Sequence, residues 1–128
     1  MASTPPKPTD AELAILRALW ELGPSTVRSV QEKLEADRPT GYTTVLKLLQ
    51  IMTDKGLVLR DTSERTHVYR VSRTARQTQR QLVGDLLERA FDGSAASLVM
   101  QALATRRATP DELDEIRQLL DRHARSDT

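Results

Sequence analysis

A chain of 128 residues, 38% of them hydrophobic, with a net charge of +1, has room for one domain or for a small domain plus an oligomerisation extension. No apolar run approaches the ~18–20 residues of a membrane-spanning helix. Met1–Pro8 lacks the apolar core of a secretory signal, and without cysteine there are no disulfides, thiolate ligands or cysteine nucleophiles.

A cytoplasmic globular protein is the expectation. Its charge is uneven: residues 1–80 hold 13 Lys/Arg against 9 Asp/Glu, a balance of +4, and residues 81–128 hold 6 against 9, a balance of −3. The stretch 38–80 is steeper, with 9 basic and 3 acidic residues, or +6. Such a division fits a polyanion-binding half, although a basic run also forms simply as a solvated face.

Residues 1–8 are small, Pro-rich and unpatterned, and read as a flexible tail. Thr9 with Glu12 three positions on is a capping-box signature, which opens a first helix. Leu13, Leu16, Leu19 and Trp20 follow at helical spacing until Gly23-Pro24 stops it. A second helix starts after Ser25 or Thr26, with Val27, Val30 and Leu34 on one face, and breaks at Asp37-Arg38-Pro39. A third runs from near Thr40-Gly41 to about Asp54 on the apolar positions Val45, Leu48, Leu49 and Met52. Lys55-Gly56 closes it, a basic last turn followed by a glycine.

The period then changes. Leu57–Arg60 and His67–Val71 are rich in β-branched and aromatic residues around the polar segment Asp61–Thr66, which predicts a β-hairpin. From about Ser72 a long helix carries Leu82, Leu86, Leu87, Ala90 and Phe91 to a stop at Asp92-Gly93. A small-residue helix from Ser94 to about Arg106 carries Leu98, Val99 and Leu103. The last helix begins with a Thr109 cap, Pro110 at its first position and Glu112 completing the box, then Leu113, Ile116, Leu119 and Leu120. The residues after it, from Arg125, read as disordered.

Three helices and a hairpin form the element order of a winged helix-turn-helix. The fold class predicted is therefore mainly α with a small β-hairpin: an N-terminal winged helix-turn-helix DNA-binding domain at 9–72 and a C-terminal helical region at 73–128, which has the size of an oligomerisation extension. Helices one and two and the hairpin bury one face of helix three, and the opposite face is free to enter a major groove ~12 Å wide. With the apolar positions turned inward, Thr43, Thr44, Lys47 and Gln50 lie mostly outward. Thr can meet phosphate or a thymine methyl, Lys can reach guanine acceptors or phosphates, and Gln can pair with adenine. The same residue types also occur on plain solvated helix faces. In the hairpin, Arg65 and Arg60 are candidates for phosphate contacts, with Glu64 beside them, and an ordinary solvated turn is the alternative.

The ordered set Thr9-Asp10-Ala11-Glu12-Leu13, Leu19-Trp20, Gly23-Pro24-Ser25-Thr26-Val27-Arg28, Tyr42-Thr43-Thr44-Val45, Lys55-Gly56-Leu57-Val58, His67-Val68-Tyr69 and Phe91-Asp92-Gly93-Ser94 closely resembles the penicillinase-repressor family (BlaI/MecI/CopY type) from about Thr9 to His123. The resemblance implies a sequence-specific, DNA-binding transcriptional repressor, a homodimer on a two-fold symmetric operator in double-stranded DNA. It implies that Thr43, Thr44 and Lys47 face bases, that Tyr42 and Arg65 lie nearer the backbone, and that Arg28 is a further phosphate candidate. It also implies that the C-terminal helices hold the dimer. This agrees with the apolar positions Leu82, Leu86, Leu87, Phe91, Leu98, Leu103, Leu113, Ile116 and Leu120, which sit in too short a segment for a core of its own. Packing back onto the N-terminal domain is the alternative there.

Two departures stand out: Ile51 replaces a residue commonly basic in the family, and the hairpin tip lacks a glycine often found there. No cofactor or metal is implied, and the absence of cysteine removes the copper-responsive mode. In β-lactam-responsive members a sensor protease inactivates the repressor at an Asn-Phe bond, where this chain has Gln101-Ala102. An enzyme is not expected, since His67 and His123 lack recognisable catalytic partners and Asp111–Glu115 is an acidic helix start favoured by the helix dipole. A winged helix used as a protein-interaction module is the rival function.

Overall fold

A computed structural model describes residues 5–126. The first helix, α1 (Asp10–Leu22), starts where the capping signature placed it. The Glu12 amide donates to the Thr9 hydroxyl at 3.2 Å, and the Thr9 amide donates to Glu12 Oε1 at 2.9 Å. Gly23 closes the helix at φ 81°, its amide donating to the Leu19 carbonyl at 2.7 Å. Thr26 caps α2 (Val27–Glu35) through the Ser29 amide. α3 spans Tyr42–Lys55, two residues later than the predicted start near Thr40. Gly41 is still extended there, and no side chain caps the helix.

α3 ends at Gly56, whose left-handed φ of 82° lets the Leu57 amide reach back to the Met52 carbonyl at 2.9 Å. A Cβ added at Gly56 would meet nothing within 4 Å, so only the backbone conformation resists a side chain. Gly56→Ala is expected to cost about 1–2 kcal/mol of unfolding free energy, read as a lower urea midpoint. An unchanged midpoint would show that the turn relaxes without strain.

The hairpin is β1 (Val58–Asp61) antiparallel to β2 (Val68–Val71), in register from Val58↔Val71 to Asp61↔Val68. Each strand begins one residue later than the sequence reading placed it, and His67 precedes β2 rather than belonging to it. A contact between distant segments joins the pair. Ser25, in the turn between α1 and α2, exchanges both backbone hydrogen bonds with Tyr69, at 2.9 and 2.8 Å. The Tyr69 side chain is thereby carried into the core.

Thirteen buried hydrophobic residues, from Ile15 to Tyr69, form one cluster drawn from α1, α2, α3 and the hairpin. Ile15, Leu16 and Leu19 of α1, Val30 of α2 and Val45, Leu49 and Met52 of α3 are its centre, while Leu48 is only partly buried. One ion pair lies beside the cluster: the buried Glu12 carboxylate accepts from Lys55 Nζ at 2.8 Å, tying the start of α1 to the end of α3.

Thr74 and Gln77 form a further capping box, and α4 begins at Ala75, not at Ser72. The chain divides into two compact units, Met1–Val83 and Gly84–Thr128, so the division falls inside α4 (Ala75–Ala90) rather than before it. The first turns of α4 pack with the N-terminal unit. Thr78 is buried, Trp20 Nε1 donates to the Arg73 carbonyl at 3.2 Å, and Gln81 Nε2 donates to the Pro5 carbonyl at 2.8 Å. Within the segment read as a loose tail, Pro8 is thus buried and Pro5 engaged, while residues 1–4 lie outside the described part.

In the C-terminal unit, α5 (Ala95–Thr105) is capped by Ser94, and α6 (Pro110–Ser126) by the expected Thr109–Glu112 box at 2.9 and 3.1 Å. Asp92 and Gly93 both take positive φ in the turn before α5. Arg125 and Ser126 are helical, which corrects the expectation of disorder at those two positions; Asp127 and Thr128 are outside the described residues. No residue of α5 or α6 is buried. Leu86, Val99, Met100, Leu103, Leu119 and Leu120 are exposed, and Leu87, Phe91, Leu98, Leu113 and Ile116 are half-buried. No helix of the described residues is long and apolar enough to cross a membrane.

Candidate nucleic-acid interface

The inward positions Val45, Leu49 and Met52 fix the rotation of α3, and with it the face left to solvent. Thr43, Lys47 and Gln50 follow at steps of four and three and are all exposed, forming a ridge along the helix. Among the described residues Lys47 has no hydrogen-bond or ion-pair partner, so its ammonium is available to an external acceptor. The exposed Ile51 adjoins this ridge as an apolar surface at the position where the resemblance expects a basic residue.

Thr44 and Tyr42 flank the ridge on opposite sides. Thr44 lines a hollow of about 160 Å³ with Leu48, Ala11 and Ala14 of α1 and Arg38 and Thr40 of the loop before α3. It is solvent-exposed but turned toward α1, so Thr43, rather than Thr44, aligns with Lys47 and Gln50. Tyr42 lines a second hollow, of about 390 Å³, on the hairpin side.

Three candidates distant in sequence meet there. Arg28 from the first turn of α2, Tyr42 from the first turn of α3 and Arg65 from the hairpin tip line the same hollow. The Arg28 guanidinium carbon lies 5.9 Å from the centroid of the Tyr42 ring, within the range of a cation–π contact. This contact holds a permanent positive charge beside the uncapped start of α3, where the first amides and the helix dipole also favour an anion. Arg60 does not join this group; it lies on β1 opposite Tyr69 in the register, exposed.

The hairpin tip is shaped by Asp61. Its carboxylate accepts the Ser63 amide at 2.9 Å, and hydrogen bonding to Ser63 holds it below the usual carboxylate range. The charge of Asp61 is thus committed to the turn.

Thr26, Thr66 and His67 also line the larger hollow and are not among the residues predicted from sequence to meet DNA. In sequence His67 stands in the motif His67-Val68-Tyr69 without a recognisable catalytic partner, and only the tertiary fold brings it beside residues of α2 and α3.

The penicillinase repressor family model matches residues 8–122. The transcriptional regulator BlaI of Mycobacterium tuberculosis is 34% identical over 112 residues, which cover 87% of this chain and 80% of that protein. Among solved structures, RosR of H. salinarum aligns with a TM-score of 0.53 at 17% identity, over 96% of this chain and 99% of that one. BpsR of Bordetella bronchiseptica aligns with a TM-score of 0.50 at 18% identity, over 92% and 80%. The structural likenesses bear on the fold alone, whereas the family match and the regulator's identity bear on descent and exclude an enzyme as the class. Together with the helix order and the hairpin, they establish that the chain belongs to the penicillinase repressor family, as a transcriptional repressor built on a DNA-binding winged helix-turn-helix.

Proposed function

We propose that the chain represses transcription as a homodimer that reads a two-fold symmetric operator in double-stranded DNA, with α3 of each protomer in the major groove. The observation that carries this is the exposed polar ridge of α3, standing on a buried apolar face within the +6 stretch 38–80. On this reading Thr43, Lys47 and Gln50 meet base edges and Thr44 a flank of the groove. Arg28, Tyr42 and Arg65 engage one backbone phosphate region, and Arg60 another. Residues 9–72 serve as the DNA-binding part, completed by the first turns of α4.

Residues 73–128 supply the dimer contacts. The reason is physical: isolated helices are marginal in water, and α5 and α6 bury no residue in the single chain. Leu86, Leu87, Phe91, Leu98, Leu103, Leu113, Ile116 and Leu120 then pack against a second copy, together with Leu82 at the edge of the N-terminal unit. Function on chromosomal DNA places the protein in the cytoplasm. An inactivating sensor protease, which the family resemblance brings with it, would find Gln101-Ala102 inside α5 instead of an Asn-Phe bond.

A band-shift against DNA from the chain's own upstream region, at two salt concentrations, tests the reading. A discrete complex that resists nonspecific competitor and weakens steeply with salt is expected. A folded dimer that retards none of this DNA would favour an interaction module. Within the complex, Lys47→Ala is expected to weaken binding about tenfold to hundredfold, the scale of a lost base contact, with the thermal transition unchanged. Full affinity in that variant would remove the assigned recognition ridge.

A further inference from the structure

The hollow at the hairpin side of α3 has a histidine among its lining residues. His67 lines it together with Thr26, Arg28, Tyr42 and Arg65, and no carboxylate does. The side chains facing it come from three directions: Arg28 from α2, Tyr42 from α3 and Arg65 from the hairpin tip. The nearby acids are elsewhere, Asp61 accepting the Ser63 amide and Glu64 exposed at the tip. His67 is itself exposed and, among the described residues, has no hydrogen-bond or ion-pair partner. Two permanent guanidinium charges, the uncapped start of α3 and a tyrosine hydroxyl make this hollow a receptor for a tetrahedral, doubly hydrogen-bonding anion.

We propose that this hollow seats a phosphodiester of the DNA backbone and that His67 is its proton-dependent contact. The proposal rests on the DNA-binding reading above and adds a residue and a proton to it. Histidine is the side chain whose charge changes between about pH 5 and pH 8. A phosphate within hydrogen-bonding reach favours the imidazolium over the neutral ring. Bound phosphate and bound proton therefore favour one another, and DNA affinity rises as pH falls through that window. Each imidazolium that meets a phosphate also adds about 0.9 to the steepness of the salt dependence.

Fluorescence anisotropy of a labelled upstream duplex, titrated with the full chain over a series of salt concentrations at about pH 6 and about pH 8, reads both effects. The wild type is expected to bind severalfold tighter at the lower pH, with a salt slope steeper by about 0.9 per bound protomer. His67→Gln should lose both differences while still binding DNA. His67→Arg, with a fixed charge, should bind tightly and steeply at both pH values, an outcome that a purely structural histidine would not produce. A His67→Gln protein that keeps the wild-type pH response overturns the inference, as does a wild type whose affinity and slope are the same at both pH values. A wild type that binds the duplex at neither pH overturns the DNA-binding reading itself, and this inference with it.

Discussion

Replacing Leu86 or Leu120 with glutamate is expected to convert the homodimer proposed above to monomer and to lower operator affinity about 10²–10⁴-fold, the range over which linking two binding modules raises avidity. Both residues are exposed in the single chain, Leu86 at 44% and Leu120 at 62%, so neither substitution removes a buried side chain of the protomer. The core from Ile15 to Tyr69 is untouched, and each monomer keeps its α3 ridge intact. What is lost is the second half-site, which a tethered partner would otherwise fill at high effective concentration. Sedimentation velocity reads the mass, and anisotropy on a full and a half operator separates avidity from local damage. Binding to the half operator should be nearly unchanged.

Circular dichroism supplies an independent sign. Because α5 and α6 bury no residue alone, dissociation should lower the helical signal as well as the mass. If both variants remain dimeric with full helicity, the interface lies elsewhere and the apolar faces of the C-terminal unit need another occupant.

The second large effect is expected at the ion pair of Glu12 and Lys55. Lys55→Met keeps the aliphatic stem but leaves the Glu12 carboxylate buried and without its cation. Removing one partner of a fully buried pair costs about 3–5 kcal/mol. The Lys55 side chain is 33% exposed and the Glu12 side chain 2%, so solvent screens part of the loss and about 2–3 kcal/mol is expected at neutral pH. The Thr9 amide still satisfies Oε1 of Glu12 and keeps the helix start in place.

The pH dependence distinguishes this from a packing defect. Burial pushes the Glu12 carboxyl up, but the Lys55 hydrogen bond, the Thr9 amide and the Lys55 charge together bring it below the usual glutamate value. A depressed carboxyl contributes stability that is present above the unfolded value of about 4.3 and is lost as pH falls through the folded one. In Lys55→Met only burial and the cap remain, so the folded carboxyl rises, and that variant gains relative stability on acidification. The two unfolding curves should therefore be furthest apart near pH 7 and converge below about pH 4. A gap that stays constant with pH would assign the loss to packing of the lysine stem instead.

Features whose partners lie within about one helical turn were legible in the sequence. Thr9 with Glu12 and Thr109 with Glu112 announced two helix starts because each box closes over four residues, and Gly56 announced the end of α3 because only glycine enters the left-handed region freely. The outward face of α3 was legible for the same reason, since Val45, Leu49 and Met52 set its rotation. The like-built box of Thr74 and Gln77 is equally local, and it sets the start of α4 at Ala75 rather than at the Ser72 expected from the change of period.

Tertiary structure alone decided the remainder, where the partners are tens of residues apart. Glu12 reads locally as a cap, yet its second oxygen meets Lys55 43 positions away. Ser25 reads as a turn residue, yet its backbone pairs with Tyr69 and extends the hairpin. Arg28, Tyr42, Arg65 and His67 have no shared pattern in sequence and meet only because α2, α3 and the hairpin tip converge. Thr44 and Thr43 look interchangeable until packing against α1 turns one toward a flank. Local hydrogen bonds and apolar periodicity are written in neighbouring residues and specify which elements form and which face is buried. Which side chains finally meet depends on how those faces pack over long chain separations, and the sequence pattern carries no comparable period for that.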